Sequence, residues 1–389
     1  MKKQLNFQEK LLKLTKQEKK KTHKHVLIAL PVIFCLMFVF TWFGSAKTPS
    51  QITKQKDAKL TATFVGDIMM GRNVEKVTKL HGPESVFKNV KPYFDVSDFI
   101  TGNFENPATK EKDYQPAEKN IHLQTNLESV ETLKNMNFSV MNFANNHAMD
   151  YGQDGLNDTL NKFTEENLDI VGAGKNLDEA KQHVSYQNVN GVKIATLGFT
   201  DTYTKNFTAK KNRGGVLPLS PKVFIPMIAE ASKKADLVVV HVHWGQEYDN
   251  EPNDRQRDLA KAIADAGADV ILGAHPHVLE PIEVYNGTAI FYSLGNFVFD
   301  QGWSRTRDSA LVQYHLMNDG KGRFEVTPLN IREATPSPLG KSDFIKREAI
   351  FRQLTKGTGL DWKEENGKLT FEVDHTDKLK NNENGVTNK

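Results

Sequence analysis

The chain has 389 residues, 38% of them hydrophobic, together with 26 Gly, one Cys and a formal net charge of +3. This composition is typical of a globular protein and excludes wholesale disorder, and one Cys excludes a disulfide-stabilised scaffold and a cysteine-rich zinc site. The charge is uneven, because residues 1–25 contain nine Lys and two Glu, a net +7, which leaves −4 for the remainder. The positive net charge therefore comes from residues 1–25, and the remainder of the chain is net negative. A nucleic-acid partner is therefore not predicted.

An apolar segment follows the basic tail. Residues 26–43 (VLIALPVIFCLMFVFTWF) are eighteen residues without a charge, which is long enough for a transmembrane helix. The lysine excess before it predicts a single-pass protein of the cell membrane, with a cytoplasmic tail over 1–25 and an extracellular main domain. The alternative is a cleaved signal peptide ending at Gly44-Ser45-Ala46, although such apolar regions are usually about 7–15 residues long. Polar residues 44–59 are predicted to be a linker.

From residue 60 onward, short apolar runs alternate with amphipathic segments. The runs are rich in β-branched and aromatic residues and predict buried strands over 60–66, 98–102, 139–144, 168–171, 193–199, 237–242, 270–273, 289–293 and 310–316. The segments between them predict helices over 127–136, 156–166, 225–234 and 253–266. This alternation predicts an α/β domain over 60–335. Residues 336–389 are predicted to be a partly disordered extension with a helix over 343–354 and a strand over 369–373.

Polar side chains of the metal-binding type follow the apolar runs directly. They are Asp67, Asn103, Glu105, Asn145, Asn146, His147, His243, Glu247, His275, His277 and Asn296. Binding sites in open α/β sheets lie beyond the carboxyl ends of the strands, so these side chains are expected to converge. Imidazole and carboxylate groups suit divalent metals such as Mn²⁺, Zn²⁺ or Mg²⁺. The predicted metal ligands are Asp67, Glu105, Asn146, His243, His275 and His277.

The histidines differ in how strongly they indicate a site. His241 and His243 share one face of a predicted strand, and His243 is assigned to the site because Trp244-Gly245 marks the strand end. For His241 the alternative is a hydrogen-bonded core histidine. His275 and His277 flank Pro276, which predicts an extended segment with both imidazoles on one side.

Such a site supports metal-assisted hydrolysis. Paired metals, or a single metal, would polarise an oxygen and lower the pKa of bound water to about 7. His147 and Glu105 are the predicted catalytic residues, and a histidine beside the site could protonate a leaving group. Arg72, Asn296 and Glu247 are the predicted substrate-binding residues. Arg72 could hold a phosphate or carboxylate in its guanidinium fork, and the alternative is a surface ion pair.

Six ordered motifs resemble the CapA family of poly-γ-glutamate capsule proteins: GDIMMGR, GNFENP, ANNHAMDYG, HWGQEYDNEPNDRQ, GAHPHV and FYSLGNFVFDQG. The resemblance implies a calcineurin-type, metallophosphatase-like αββα sandwich anchored outside the membrane. It also implies a role in poly-γ-glutamate synthesis or export beside a CapB-like ligase, which would hold ATP and Mg²⁺, and a CapC-like membrane subunit. This chain contains no G-x-x-x-x-G-K-[ST] phosphate loop, so ATP is not expected here.

The chain departs from working metallophosphatases at two motifs. Their opening Asp-x-His is Asp67-Ile68-Met69 here, and their Gly-Asp is Gly102-Asn103, which leaves Glu105 as the nearby carboxylate. The Asn146-His147 pair and the later histidines at 243, 275 and 277 are retained. The main hypothesis is therefore an accessory subunit of the synthase complex. The alternatives are a metal-dependent extracytoplasmic hydrolase of a phosphoester or of the γ-glutamyl polymer, and a membrane scaffold with a vestigial site.

Overall fold

A computed structural model of the chain describes residues 6–43, 52–204 and 206–378. It contains two compact units, Met1–Lys47 and Thr48–Lys389. Most of the predicted linker, residues 44–51, and the predicted disordered end, residues 379–389, lie outside the described residues.

The first unit contains two helices, α1 (Phe7–Lys19) and α2 (Thr22–Phe43). Helix α1 begins with a capping box, in which the Asn6 side chain accepts from the Glu9 N–H at 2.8 Å and the Glu9 carboxylate accepts from the Asn6 N–H at 2.9 Å. Helix α2 contains the predicted transmembrane segment 26–43. Within the described part of the chain, no helix has the length and apolar character needed to cross a membrane. The predicted transmembrane helix is therefore not confirmed.

The second unit contains the remaining elements. Its helices are α3 (Arg72–His81), α4 (Lys91–Phe94), α5 (Glu128–Asn135), α6 (Gly152–Glu165), α7 (Leu177–Gln182), α8 (Pro221–Lys234), α9 (Asp254–Asp265) and α10 (Phe344–Leu354). Short 3-10 helices cover Pro83–Phe87, Ser304–Arg307 and Lys341–Asp343. The strands are β1 (Ala58–Ile68), β2 (Phe99–Phe104), β3 (Ala108–Thr109), β4 (Thr125–Asn126), β5 (Val140–Asn142), β6 (Asp169–Val171), β7 (Ala173–Gly174), β8 (Ser185–Val189), β9 (Val192–Thr200), β10 (Gly215–Val216), β11 (Leu237–His243), β12 (Val270–Ala274), β13 (Ile282–Tyr285), β14 (Thr288–Phe291), β15 (Asn296–Val298), β16 (Asp308–Met317), β17 (Lys321–Arg332), β18 (Thr335–Pro338), β19 (Lys363–Glu365) and β20 (Lys368–Asp374).

Two large sheets form the centre of this unit. The first has the order β19-β20-β17-β16-β1-β2-β5-β6, with β15 beside β1 and β18 beside β17. The second has the order β13-β14-β12-β11-β9-β8. Strands β1, β2, β5 and β6 run parallel, as do β9, β11, β12 and β14. The inner faces of the two sheets share one apolar cluster, which joins Phe64 of β1 to Val239 of β11 and Leu272 of β12.

Helices cover the outer faces. Val130 of α5 and Leu160 of α6 pack in one cluster with Ile100 of β2 on the first sheet. On the second sheet, Phe224 of α8 and Ile263 of α9 pack in another cluster that includes β11. The layers are thus helices, sheet, sheet, helices, and the predicted α/β class is confirmed.

Residues 336–378 belong to the same core. Strand β20 pairs antiparallel with β17, and Phe351 of α10 is buried in the cluster between the sheets. Beyond β20, His375 Nδ1 lies 2.7 Å from the Tyr314 hydroxyl, and Lys378 donates to Asp269 at 2.7 Å. This part of the predicted C-terminal extension therefore adds strands to the first sheet and ties it to the second.

Gly273 in β12 lies too close to its neighbours to carry a side chain. A Cβ at this position would lie 1.9 Å from the Tyr292 carbonyl oxygen and 2.7 Å from Trp244 Nε1. These two atoms are held together by a hydrogen bond of 2.9 Å. We expect Gly273→Ala to lower the free energy of unfolding by about 3 kcal/mol, measured by urea denaturation. Gly340→Ala is the control, because its Cβ would meet only flexible side chains; equal midpoints would contradict the prediction.

Candidate functional site

The candidate site lies at the carboxyl ends of the parallel strands. Asp67, near the end of β1, is in register with Asn103 on β2 and with Asn296 on β15. His243 ends β11, and His275 directly follows β12. The polar residues at the carboxyl ends of strands from both sheets therefore lie close together, as the sequence pattern predicts.

Two overlapping groups of buried side chains could hold a metal ion. Glu105, His275 and His277 place ligand atoms within 4.8 Å of one another, as do Asp67, Glu105 and His243. Glu105 belongs to both groups and its side chain is fully buried. The structure thus brings together five of the six predicted ligands, and we call these five residues the acid–histidine cluster.

The amide of Asn103 has a fixed orientation in this cluster. The Ala144 N–H donates to Asn142 Oδ1 at 3.1 Å, so the Asn142 NH₂ group must face Asn103. Asn103 Oδ1 accepts that donor at 2.8 Å, and the Asn103 NH₂ group therefore donates to Asp67 Oδ1, also at 2.8 Å. The same NH₂ group lies 3.4 Å from Glu105 Oε2 and from His243 Nδ1. A hydrogen-bond donor thus occupies the side of the cluster formed by Asp67 and His243.

The other side of the cluster contains unpaired ligand atoms. Among the described residues, Glu105 Oε1 and His275 Nδ1 are buried and have no hydrogen-bond partner. His277 Nδ1 lies 2.9 Å from Asn296 Oδ1, and its Nε2 lies 3.6 Å from Glu105 Oε1. Asn296 presents its oxygen here because its NH₂ group donates to the Thr306 carbonyl at 3.1 Å. An unpaired carboxylate oxygen and an unpaired imidazole nitrogen, with His277 Nε2 beside them, fit a single divalent metal.

Burial sets the protonation of the cluster. Burial, and next the charge of Asp67, raise the pKa of Glu105 well above its usual range. Burial, and next the neighbouring His277, lower the pKa of His275 to about 3. Burial and His275 likewise hold the pKa of His243 well below its usual range. The imidazoles of His243 and His275 are therefore neutral, which is the form that binds a metal.

His147 belongs to a second network beside the cluster. Its Nδ1 lies 2.7 Å from Asp150 Oδ2, and Lys119 Nζ donates to Asp150 Oδ1 at 2.6 Å and to the Asn146 carbonyl at 2.8 Å. Burial lowers the pKa of His147, while the hydrogen bond to Asp150 opposes that shift. The Asn146 side-chain oxygen lies 2.9 Å from His243 Nε2, so Asn146 joins the network to the acid–histidine cluster.

Sequence reasoning missed Asp150 and Lys119. Asp150 follows His147 by three residues in the ANNHAMD motif, and that spacing was the available signal. Lys119 lies in an irregular segment far along the chain from its partners, so no local pattern indicates it.

The backbone at His275 and His277 differs from the predicted extended segment. Both residues have positive φ, +97° and +58°, on either side of Pro276. Such conformations are unusual for residues with a β-carbon and occur often at functional sites. His241 lies outside the cluster; its Nε2 is 2.8 Å from Thr101 Oγ1, and burial lowers its pKa to about 3.

The three predicted substrate-binding residues lie in different surroundings. Asn296 is buried and holds His277, as described above. Arg72 is partly exposed and forms an ion pair with Asp300. Glu247 is half-buried, and burial, followed by the charge of Glu247, raises the pKa of the adjacent Tyr248. Arg72 and Glu247 both interact electrostatically with Tyr248, whose ring centroid lies 6.3 Å from that of His277, and we call this partly exposed side of the site its mouth.

Glu280 is a buried carboxyl group outside the cluster. Its Oε2 accepts from Gln256 Nε2 at 2.9 Å, while Oε1 is buried without a partner among the described residues. Burial raises the pKa of Glu280 to about 8. The folded chain therefore keeps a proton that the unfolded chain loses near pH 4, so the free energy of unfolding falls between about pH 4 and pH 8.

We expect Glu280→Gln to remove this loss. The variant should match the parent near pH 4 and exceed it in free energy of unfolding by up to about 4 kcal/mol at pH 8. Urea denaturation at several pH values measures the difference. Glu348→Gln, at an exposed position on α10, is the control. A difference that does not grow with pH would show that the prediction is wrong.

Comparisons with known proteins agree with the six motifs. The family described as "Bacterial capsule synthesis protein PGA_cap" matches residues 61–301. "PGA biosynthesis protein CapA" of Bacillus subtilis (strain 168) is 66% identical over 380 residues, which cover 98% of this chain and 100% of that protein. "Capsule biosynthesis protein CapA" of Bacillus anthracis is 48% identical over 383 residues, which cover 96% of this chain and 92% of that protein.

Among solved structures, a 5'-nucleotidase precursor from Thermus thermophilus aligns with 76% of this chain and 58% of its own, at 15% identity and a TM-score of 0.44. A TM-score this low supports no conclusion. The family match and the two relatives confirm the resemblance that the motifs indicate: the chain belongs to the bacterial capsule synthesis protein family PGA_cap.

Proposed function

We propose that this chain is an accessory subunit of a poly-γ-glutamate synthase complex, needed for synthesis or export of the capsule polymer. The observation that carries the proposal is 66% identity over 98% of the chain with a relative named as a PGA biosynthesis protein. The relative from Bacillus anthracis, named for capsule biosynthesis, supports the same conclusion.

The proposed subunit is held in the cell membrane by residues 26–43. Its basic tail over 1–25 is cytoplasmic and its α/β domain is extracellular. The support for this arrangement is the uncharged apolar segment and the seven net positive charges before it. The proposed partners are a CapB-like ligase, which holds ATP and Mg²⁺, a CapC-like membrane subunit and the polymer itself.

Gene deletion and complementation test this function. Deletion should abolish capsule polymer, and the full chain should restore it. Replacing residues 1–43 with a cleavable signal peptide should not restore it, because the domain would leave the membrane. Unchanged polymer yield and chain length after deletion would refute the proposal. Restoration by a chain altered at Glu105, His147 and His277 would favour a scaffold without a working site.

The second candidate is a metal-dependent extracytoplasmic hydrolase, and unpaired Glu105 Oε1 and His275 Nδ1 favour it. In this proposal the four-layer fold is a metallophosphatase-like sandwich of the calcineurin type. Glu105, His275 and His277 hold one divalent metal, which is Mn²⁺, Zn²⁺ or Mg²⁺. When bound, the metal polarises a substrate oxygen and acidifies water. His147, oriented by Asp150, transfers the proton to or from the reacting group.

Activity of the purified full chain separates the two candidates. With Mn²⁺, Zn²⁺ or Mg²⁺ added, a hydrolase should cleave either a phosphoester or poly-γ-glutamate, and His147→Ala should abolish turnover. If His147→Ala still showed turnover, the activity would come from a contaminant. The absence of turnover on both substrate classes would refute the hydrolase and leave the accessory subunit.

A further inference from the structure

Arg72 is held in an unusual conformation at the mouth of the site. It is the first residue of α3, and its φ is +51°, which is a strained value for a residue with a β-carbon. The preceding Gly71 packs so closely on Gln124 that a Cβ would lie 1.9 Å from the Gln124 carbonyl oxygen. The backbone immediately before Arg72 is therefore closely packed.

The Phe299 ring lies between the Arg72 guanidinium and His277 of the acid–histidine cluster. Its Cζ atom is 5.7 Å from the centroid of the Phe299 ring, in a cation–π contact. The Phe299 ring centroid is in turn 4.9 Å from that of His277. The Phe299 ring therefore links the Arg72 guanidinium to His277.

Two aromatic side chains form another part of the mouth. The Tyr248 ring centroid is 6.3 Å from that of His277 and 4.9 Å from that of Trp303. Trp303 is 57% exposed, which is high for so large an apolar side chain. Gln301 Nε2 donates to the Tyr248 hydroxyl at 3.2 Å and holds that ring in place. The mouth thus contains the Arg72 guanidinium and the solvent-exposed indole of Trp303.

The Arg72 guanidinium forms an ion pair with a carboxylate of the protein itself. Asp300 pairs with Arg72 Nη2 and also accepts from the Asn73 N–H at 3.3 Å. The Asp300 side chain is only 8% exposed, whereas that of Arg72 is 38% exposed. A ligand in solvent can therefore reach the Arg72 side chain more easily than the Asp300 side chain.

We propose that Arg72 and Trp303 form a subsite for one carboxylate of a γ-linked glutamate chain, which replaces Asp300 on the guanidinium. The identity of the ligand rests on the proposed function. Each residue of such a chain carries one carboxylate and two methylene groups. The carboxylate matches the guanidinium fork, and the methylenes pack on the indole face.

Binding of a γ-linked tetraglutamate to the detergent-purified full chain tests the subsite. A short oligomer avoids the avidity of a long polymer, and Trp303 emission reports binding, with Trp303→Phe identifying the signal. Arg72→Met should weaken binding about tenfold or more, and Arg72→Lys should be intermediate. Asp300→Asn should tighten binding about two- to fivefold, because it removes the internal competitor. Asp300→Ala provides a second variant with the same expectation.

Arg352→Met is the matched control, since Arg352 is an exposed arginine paired with Glu348 on α10. Equal affinities for the parent and Arg72→Met would overturn the subsite, as would an Arg72-dependent response to inorganic phosphate but not to the oligomer. Loss of polymer on gene deletion without Arg72-dependent binding would refute the subsite alone. Arg72-dependent binding with normal polymer production after deletion would refute the proposed function alone.

Discussion

Glu105→Gln is expected to abolish tight binding of a divalent metal. Glu105 is the carboxylate common to both groups of potential ligands, and its Oε1 is buried without a partner among the described residues. The amide would replace an anionic ligand with a neutral one of the same shape. We expect affinity for Mn²⁺ or Zn²⁺ to fall about 100-fold or more. Elemental analysis after metal loading and dialysis, together with titration calorimetry, measures the change.

The control for this experiment is Glu280→Gln, which alters a second carboxyl group with a buried oxygen that has no hydrogen-bond partner among the described residues. It should leave metal content unchanged. A second readout is stability, because saturating metal at 100 times its Kd adds about 2.7 kcal/mol to the free energy of unfolding. The parent and Glu280→Gln should gain this stability, and Glu105→Gln should not. Equal metal content in all three proteins would rule out the assigned site.

Asn103→Asp is expected to destabilise the metal-free chain strongly. The Asn103 NH₂ group donates to Asp67 Oδ1 at 2.8 Å, and the substitution would place a carboxylate oxygen against that carboxylate. Both side chains are almost completely buried. An uncompensated buried charge costs about 3–5 kcal/mol, which is the expected loss in free energy of unfolding at pH 7. Urea denaturation in the presence of a chelator measures it.

Added metal should reverse this loss. The new carboxylate would lie between Asp67 and His243, so Asn103→Asp is expected to bind two divalent ions, one more than the single ion proposed for the parent. Asn188→Asp, at an exposed position on the edge strand β8, is the control for the added charge. An unchanged unfolding midpoint without metal would contradict the orientation assigned to the Asn103 amide.

The strands of the fold could be predicted because burial on both faces selects uninterrupted apolar runs. VVV in β11 and VIL in β12 are such runs, and both lie in the centre of the second sheet. Strand β17 could not be predicted in the same way. It contains Lys, Arg, Glu and Pro, and pairing with β16, β18 and β20 decides its structure. Helix α3 was also missed, because Val74 is its one fully buried residue and it has no side-chain N-cap.

The sequence indicates which residues lie together at the site, but it does not indicate the direction of the hydrogen bonds among them. Polar residues directly after apolar runs indicate a shared sheet edge, and the structure brings Asp67, Glu105 and the three histidines together there. The direction of the Asn103 amide depends on Asn142, which depends on a backbone N–H of Ala144. That chain of hydrogen bonds exists only once β2 and β5 are paired, so no local sequence pattern reports it.

The pairing of β1 with β16 has a consequence for folding during synthesis. β1 is the first strand to be made and lies inside the first sheet, yet its antiparallel neighbour spans Asp308–Met317. Its hydrogen-bonding edge on that side therefore stays open until almost the whole domain has been synthesised. Such long sequence separation slows folding and exposes an unpaired edge to other chains. The open edge of β1 therefore exposes a nascent chain to aggregation until β16 has been synthesised.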